Sequence, residues 1–328
     1  MGIAITVALL MVSLIACKGG RRVSVPPVTV SQITVPKFNA DSAYHYISNQ
    51  MDFGPRVPNT DAHKQCAHYI ETELKRHGAE TTVQNIHVTA FDGTVIDGFN
   101  IIGAFNPQSK SRILLCAHWD SRPWADNDPD PANRKKPVPA ANDGASGVGV
   151  ILEIARHLAE QKPAIGVDCI LFDAEDWGPG DDYPSLDTEM FWGLGTQYWS
   201  RSPHQEGYFA RYAILLDMVG GSGARFYKEG YSQHYAESIV TKVWDAAHVA
   251  GYGDFFPRQT GGYVTDDHLF LNRLAKIPAI DIIPYCPDCK SSGFGDTWHT
   301  IDDDLLHIDR STLQAVGQTV LQVIYTEQ

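Results

Sequence analysis

An apolar run, Ile113-Leu114-Leu115, leads into Cys116-Ala117-His118-Trp119-Asp120. The segment reads as a buried strand that delivers an imidazole and a carboxylate at its C-terminal end. Strand side chains alternate faces, so His118 and Asp120 point the same way. A carboxylate beside an imidazole fixes the ring's tautomer for metal binding or catalysis. Further acidic or imidazole positions end other apolar runs or sit in loops: Asp143, the adjacent Glu175 and Asp176, Asp217, and His299. Histidine with carboxylates and no thiolate is the ligand set of catalytic rather than structural zinc, although cobalt or manganese would also suit it. Carboxylates crowded into one place repel unless a cation or protons compensate them. Glu175 and Asp176, as neighbours, point in different directions. One can hold a metal while the other carries a proton, which is a general acid/base arrangement. Taken singly, each residue has a plainer reading as a cap, a surface charge or a core histidine. Asp143 sits where an N-cap would, so capping and ligation are both open there. The order and context of all of them together argue for one site.

The elements that must position these groups follow from periodicity. Asp61 to His77 has apolar residues at helical spacing and Gly78 as its stop. Thr81–Val88 and Val95–Ala104 read as strands joined at an Asp92-Gly93 turn. After the strand carrying His118 comes a loop from Pro123 to Ala141, and then a helix from Asp143 to about Gln161. The small residues at that helix's start allow close packing on a sheet. Val167–Phe172, Tyr212–Leu216 and Pro278–Pro284 read as further buried strands, the last carrying Asp281. A long acidic and aromatic loop runs from Trp177 to Trp192, before a helix near Gly195–Trp199. Helices are expected over Gln233–Ala250 and Ser311–Tyr325, with a short one entered through Asp266-Asp267-His268. Strands alternating with helices predict an α/β fold. We expect a three-layer sandwich whose central, mostly parallel mixed sheet is flanked by helices and carries its acidic groups at strand C-termini.

The net charge of −13 over 328 residues disfavours a nucleic-acid partner and docking on anionic lipid by surface charge. Residues 3–16 are almost wholly apolar, too short to span as a mature helix, and are followed by Cys17. This resembles a bacterial lipoprotein signal, which implies lipidation at Cys17 and membrane attachment through it. The expectation is an exported protein on the periplasmic side or cell surface of a Gram-negative bacterium. Residues 1–17 are then the signal, 18–36 a flexible tether, and 37–328 a single zinc-dependent catalytic domain. Cys116 and Cys169 read as buried free thiols, and Cys286-Pro287-Asp288-Cys289 as a local disulfide.

The motifs His-Trp-Asp-Ser-Arg, Asn-Asp-Gly-Ala-Ser-Gly, Asp-Ala-Glu-Asp, Leu-Asp-Met, Asp-Asp-His and Trp-His-Thr, in that order, resemble the zinc aminopeptidase-type exopeptidase fold. Within it they look most like the animal and bacterial glutaminyl cyclases, over roughly residues 40–328. The resemblance implies that Asp143, Asp176 and His299 hold one catalytic zinc and that Glu175 is the acid/base. It implies that Asp217 and Asp266 are hydrogen-bonding carboxylates that help move the proton. Trp298 would wall the substrate pocket, with Trp192 and Trp177, in the long acidic loop, as weaker wall candidates. The implied reaction closes the N-terminal glutamine of a peptide or protein to pyroglutamate with release of ammonia. The sequence departs from the family at Asp281, where animal members carry His, and at Asp176, where many carry Glu.

Two other readings compete. A two-zinc aminopeptidase on the same fold would use His118, Asp143, Asp176, Asp217 and His299, all of which are present. In the cyclase, His118 and Asp120 would instead support the site from behind the ligands. A non-enzymatic binding domain is expected to have lost ligands or the acid/base, and here they are intact.

Overall fold

The computed structural model describes residues 34–180 and 188–327. The signal, Cys17, most of the expected tether and the middle of the acidic loop lie outside them. Six strands form one sheet in the order β1-β2-β4-β3-β5-β6. They are β1 (Glu80–Thr89), β2 (Val95–Phe105), β3 (Arg112–His118), β4 (Gly166–Phe172), β5 (Ala213–Leu216) and β6 (Ala279–Ile282). The hairpin β1–β2 is antiparallel and joins the rest antiparallel to β4, whereas β4, β3, β5 and β6 run parallel. This is the expected mixed, mostly parallel sheet.

Among the described residues, seven α-helices accompany it: α1 (Ala40–Met51), α2 (Asp61–Arg76), α3 (Ala145–Glu160), α4 (Leu194–Arg201), α5 (Gly230–Val249), α6 (Asp267–Phe270) and α7 (Arg310–Thr326). The period of two along the strands decides which helices each face receives. Ile113, Leu115 and Ala117 of β3 pack with Ile214 and Ile280 against residues of α1, α2, α3, α5 and α7. Leu114 and Cys116 face the other way, with Phe172 and Leu215, against Trp199 of α4 and Leu271. The strands are covered on both faces, which is why they read as unbroken apolar runs. Among the described residues, no helix is long and apolar enough to cross a membrane.

Helix α1 is absent from the sequence-based assignment. Its signal is local: Asn39 accepts from the N–H groups of Asp41 and Ser42 as the N-cap, and Ala43, Tyr46, Ile47 and Gln50 form its buried stripe. Helix α5 begins a turn earlier than expected, because Glu229 caps it by accepting from Tyr231 and Ser232. Ahead of α1, the carbonyls of Thr34 and Pro36 accept from Gln161 and Gln318. The last three residues of the stretch expected to be a tether are therefore pinned to the domain. Cys286 and Cys289 are disulfide-bonded, and Cys66, Cys116 and Cys169 are free and buried.

Helix α3 lies directly on the sheet. A Cβ added at Gly147 would sit 2.1 Å from the Leu216 carbonyl oxygen and 2.8 Å from Cβ of Ala117. Only a hydrogen fits there, and it lets α3 press onto β3 and β5.

Candidate metal centre and active site

Strand register brings the site together. His118 pairs with Phe172, so Asp120 and the Asp173–Asp176 segment leave the parallel β3 and β4 side by side. Both oxygens of Asp120 accept backbone N–H groups, from Glu175 at 3.1 Å and from Asp176 at 3.2 Å. The same device recurs at α3, where Asp303 accepts from the N–H of Asn142 at 2.7 Å and of Asp143 at 2.9 Å. Burial pushes Asp303 up to about 7, and the nearby Asp143 charge acts in the same direction. Asp143 does not cap α3. The capping position belongs to Gly144, which makes no side-chain cap hydrogen bond. Of the two readings of Asp143, the structure removes capping.

Asp143, Asp176 and His299 each present one ligand atom, all within 4.8 Å of one another and all buried. Nε2 of His299 lies 3.3 Å from Oδ1 of Asp176 and 3.7 Å from Oδ2 of Asp143. Nδ1 of the same ring faces Asp126 at 3.4 Å. The buried Arg122 donates to Asp176 and is paired with Asp126. Arg122 entered the sequence reading only as the last residue of the His-Trp-Asp-Ser-Arg motif, with no role attached; Asp126 lies in the Pro-rich loop, where no periodicity marks it.

These residues fit a divalent cation. Oδ2 of Asp176 is buried with no hydrogen-bond partner among the described residues. Burial, with the charge of Asp176 beside it, pushes Asp143 up to about 6, a repulsion that a bound cation removes. Two carboxylates and an imidazole are a donor set that zinc accepts.

A second buried group of potential ligands is His118, Asp143 and Asp217. Nε2 of His118 lies 3.0 Å from Asp143 and 3.2 Å from Asp217, with Asp120 at 3.4 Å from its Nδ1. A third comprises Asp266, His268 and Asp281. Nδ1 of His268 is 3.7 Å from Asp281, and its Nε2 bonds Glu229 at 3.0 Å. Burial, then the charges of Asp266, Asp217 and Glu229, raise the pKa of Asp281 well above the carboxylate range.

A cavity of about 220 Å³ opens over the first group, lined by Asp143, Glu175, Asp176, Asp217, Asp266 and His299 together with Trp192 and Trp298. Trp298 stacks on His299 with ring centroids 3.6 Å apart, and Trp192 lies nearly parallel to that ring at 6.4 Å. Trp177 is not part of this lining. It packs edge to face on Trp124 and hydrogen-bonds Asp92. Burial, reinforced by Asp266, raises the pKa of Glu175 well above its usual value, so this carboxyl takes up a proton readily. Three non-glycine residues at the site have positive φ: Ala174 (53°), Met218 (49°) and His299 (56°). They precede Glu175, follow Asp217 and carry the imidazole, respectively, and backbone strain of this kind gathers where function over-determines geometry.

A family model described as peptidase family M28 matches residues 100–324. The chain is similar to the glutaminyl-peptide cyclotransferase of Drosophila melanogaster, with 25% identity over 286 residues that cover 79% of this chain and 73% of that protein. Among solved structures it is similar to Bacteroides thetaiotaomicron glutaminyl cyclase bound to N-acetylhistamine. The identity is 56% and the TM-score 0.88, covering 90% of this chain and all (100%) of that one. A second solved structure from that organism, described as a leucine aminopeptidase precursor, matches at 55% identity and TM-score 0.86, over 90% and 99% of the two chains.

Proposed function

This chain belongs to peptidase family M28, and we propose that within it the chain works as a zinc-dependent glutaminyl-peptide cyclotransferase. It is an acyltransferase that converts the N-terminal glutamine of peptides or proteins to pyroglutamate with release of ammonia. The observation that carries this is the cavity itself. A buried carboxyl that takes up a proton, Glu175, shares a small aromatic-walled chamber with the Asp143–Asp176–His299 group. Likeness to a glutaminyl cyclase at 56% identity supports it.

We read the metal content as one zinc, held by Asp143, Asp176 and His299. The chemistry a bound zinc supplies there is Lewis-acid polarisation of the substrate's γ-carboxamide. The chain's own residues do the rest. Trp298 and Trp192 clamp the flat glutamine side chain and exclude water. Confinement in the cavity brings the substrate's α-amine against its own side-chain carboxamide carbon, Cδ, so positioning contributes much of the rate. Glu175 accepts a proton from that amine as the new C–N bond forms, and returns it to the amide nitrogen as the old C–N bond breaks and ammonia leaves. Asp217 and Asp266, lining the same cavity, steady the proton on Glu175.

The alternative that a specific observation favours is a two-zinc aminopeptidase, because His118, Asp143 and Asp217 form a second ligand group. Mass spectrometry of a short peptide beginning with Gln separates the two. Loss of one ammonia with the chain length intact supports the cyclase; release of free glutamine supports the peptidase and a second metal.

We further propose that the mature protein is a lipoprotein anchored through Cys17 and facing the periplasm or the outside of the cell. This rests on the apolar stretch at residues 3–16 that ends just before that cysteine.

A further inference from the structure

The cavity above the metal group, about 220 Å³, is below the roughly 300–1,000 Å³ of ordinary small-molecule pockets. It has room for the first residue of a substrate, yet the substrate is a chain that must leave it. Phe294 is a wall of this cavity and also of a second one, about 510 Å³ in volume. An aromatic series connects the two: His299 stacks on Trp298, whose ring centroid is 5.0 Å from that of Phe294.

The second cavity has an aromatic floor. Tyr227 and Tyr285 line it and meet edge to face with centroids 5.5 Å apart. Glycine backbone packs beside the Tyr285 ring. A Cβ added at Gly261, Gly262 or Gly293 would come within 3.5, 3.5 and 3.9 Å of its ring. Gly262 is followed by Tyr263, which lines the first cavity. Glycine backbone thus flanks the Tyr285 ring of the second cavity and runs on to Tyr263 of the first. The wall is preformed as well: the N–H of Cys286 donates to the Gly293 carbonyl at 2.7 Å, and the Cys286–Cys289 disulfide closes the same loop.

Resting on the cyclotransferase reading, we propose that this second cavity is the subsite for the residues that follow the glutamine. Its tyrosine floor selects a bulky apolar side chain at the second or third position of the substrate. An extended chain advances about 3.3–3.6 Å per residue, so one or two steps past Phe294 place such a side chain over Tyr285. Aromatic contact of this kind acts on binding and appears in KM.

The test is steady-state ammonia release by the zinc-loaded full-length enzyme from glutaminamide, Gln-Ala-Ala-amide, Gln-Phe-Ala-amide and Gln-Ala-Phe-amide. At least one Phe peptide should show a KM about fivefold or more below that of Gln-Ala-Ala-amide, with kcat little changed. Tyr285→Ala and Tyr227→Ala should each erase that advantage, Tyr285→Phe should keep it, and glutaminamide turnover should stay within about twofold throughout. Equal KM values for the three tripeptides overturn the subsite, as does a loss in both alanine variants that is the same for every substrate, glutaminamide included. If wild type releases ammonia from none of the four, the cyclotransferase reading itself has failed.

Discussion

Oδ1 of Asp126 lies 3.4 Å from Nδ1 of His299, whose other ring nitrogen faces Asp143 and Asp176. A proton on Nδ1, donated to Asp126, leaves the Nε2 lone pair free for a metal and raises its basicity. Asp126→Ala should therefore weaken zinc binding by about 10–100-fold while leaving the fold intact. Competition with a chromophoric chelator reads the affinity, and circular dichroism checks the fold.

Glu175→Gln keeps the shape of the side chain and removes its capacity to shuttle a proton. Ammonia release should fall by about 100-fold or more, with zinc content unchanged. His299→Ala should do the opposite, losing the metal first and activity with it. Metal analysis of both purified variants tells the roles apart.

Asp281 is wholly buried, and its pKa is raised by burial and by the charges of Asp266, Asp217 and Glu229. A carboxyl held neutral tolerates replacement by a neutral amide. Asp281→Asn should keep activity within about threefold, whereas Asp281→Ala leaves a polar cavity and should lower the unfolding free energy by about 1–3 kcal/mol. A large loss of turnover in the Asn variant would instead make the ionised form necessary.

Much of this arrangement was readable before any coordinates. Glu175, Asp176 and Asp217 lie just past apolar runs, because parallel strands present their C-terminal ends together, and Asp143 lies at the start of the helix that packs on those strands. The roles of Arg122 and Asp126 escaped because their partners, Asp176 and His299, are distant in sequence. Helix α1 escaped for a different reason. Its cap, Asn39, and buried stripe were there to be read, but they adjoin a stretch interpreted as tether. The work done by Asp120 and Asp303, holding the backbone of the ligand-bearing turns, is a matter of direction, and composition carries no direction.

Glu153 offers a test far from the site. Burial opposes its charge, but hydrogen bonds from His157 and Arg156 outweigh it and bring its pKa down to about 2 from the usual 4.5. A pKa depressed on folding contributes stability above the unfolded value, and that contribution disappears as pH falls through the folded one. Glu153→Gln should therefore lower stability by about 1–2 kcal/mol at pH 7, allowing for the solvent around Arg156. The gap should close between about pH 4.5 and 2. Urea unfolding of both proteins across that range measures it.

Position 147 acts as a gauge block for the reaction chamber. Asp143 rides just ahead of α3 and Asp217 just past the end of β5, so the clearance between helix and strand sets the span between these two carboxylates. A methyl group there would act as a shim, prising the two apart by the thickness of an atom. One glycine, touching the backbone immediately before Asp217, thus holds the reach between Asp143 and Asp217, and a shim there would pull the metal-ligand group itself out of shape.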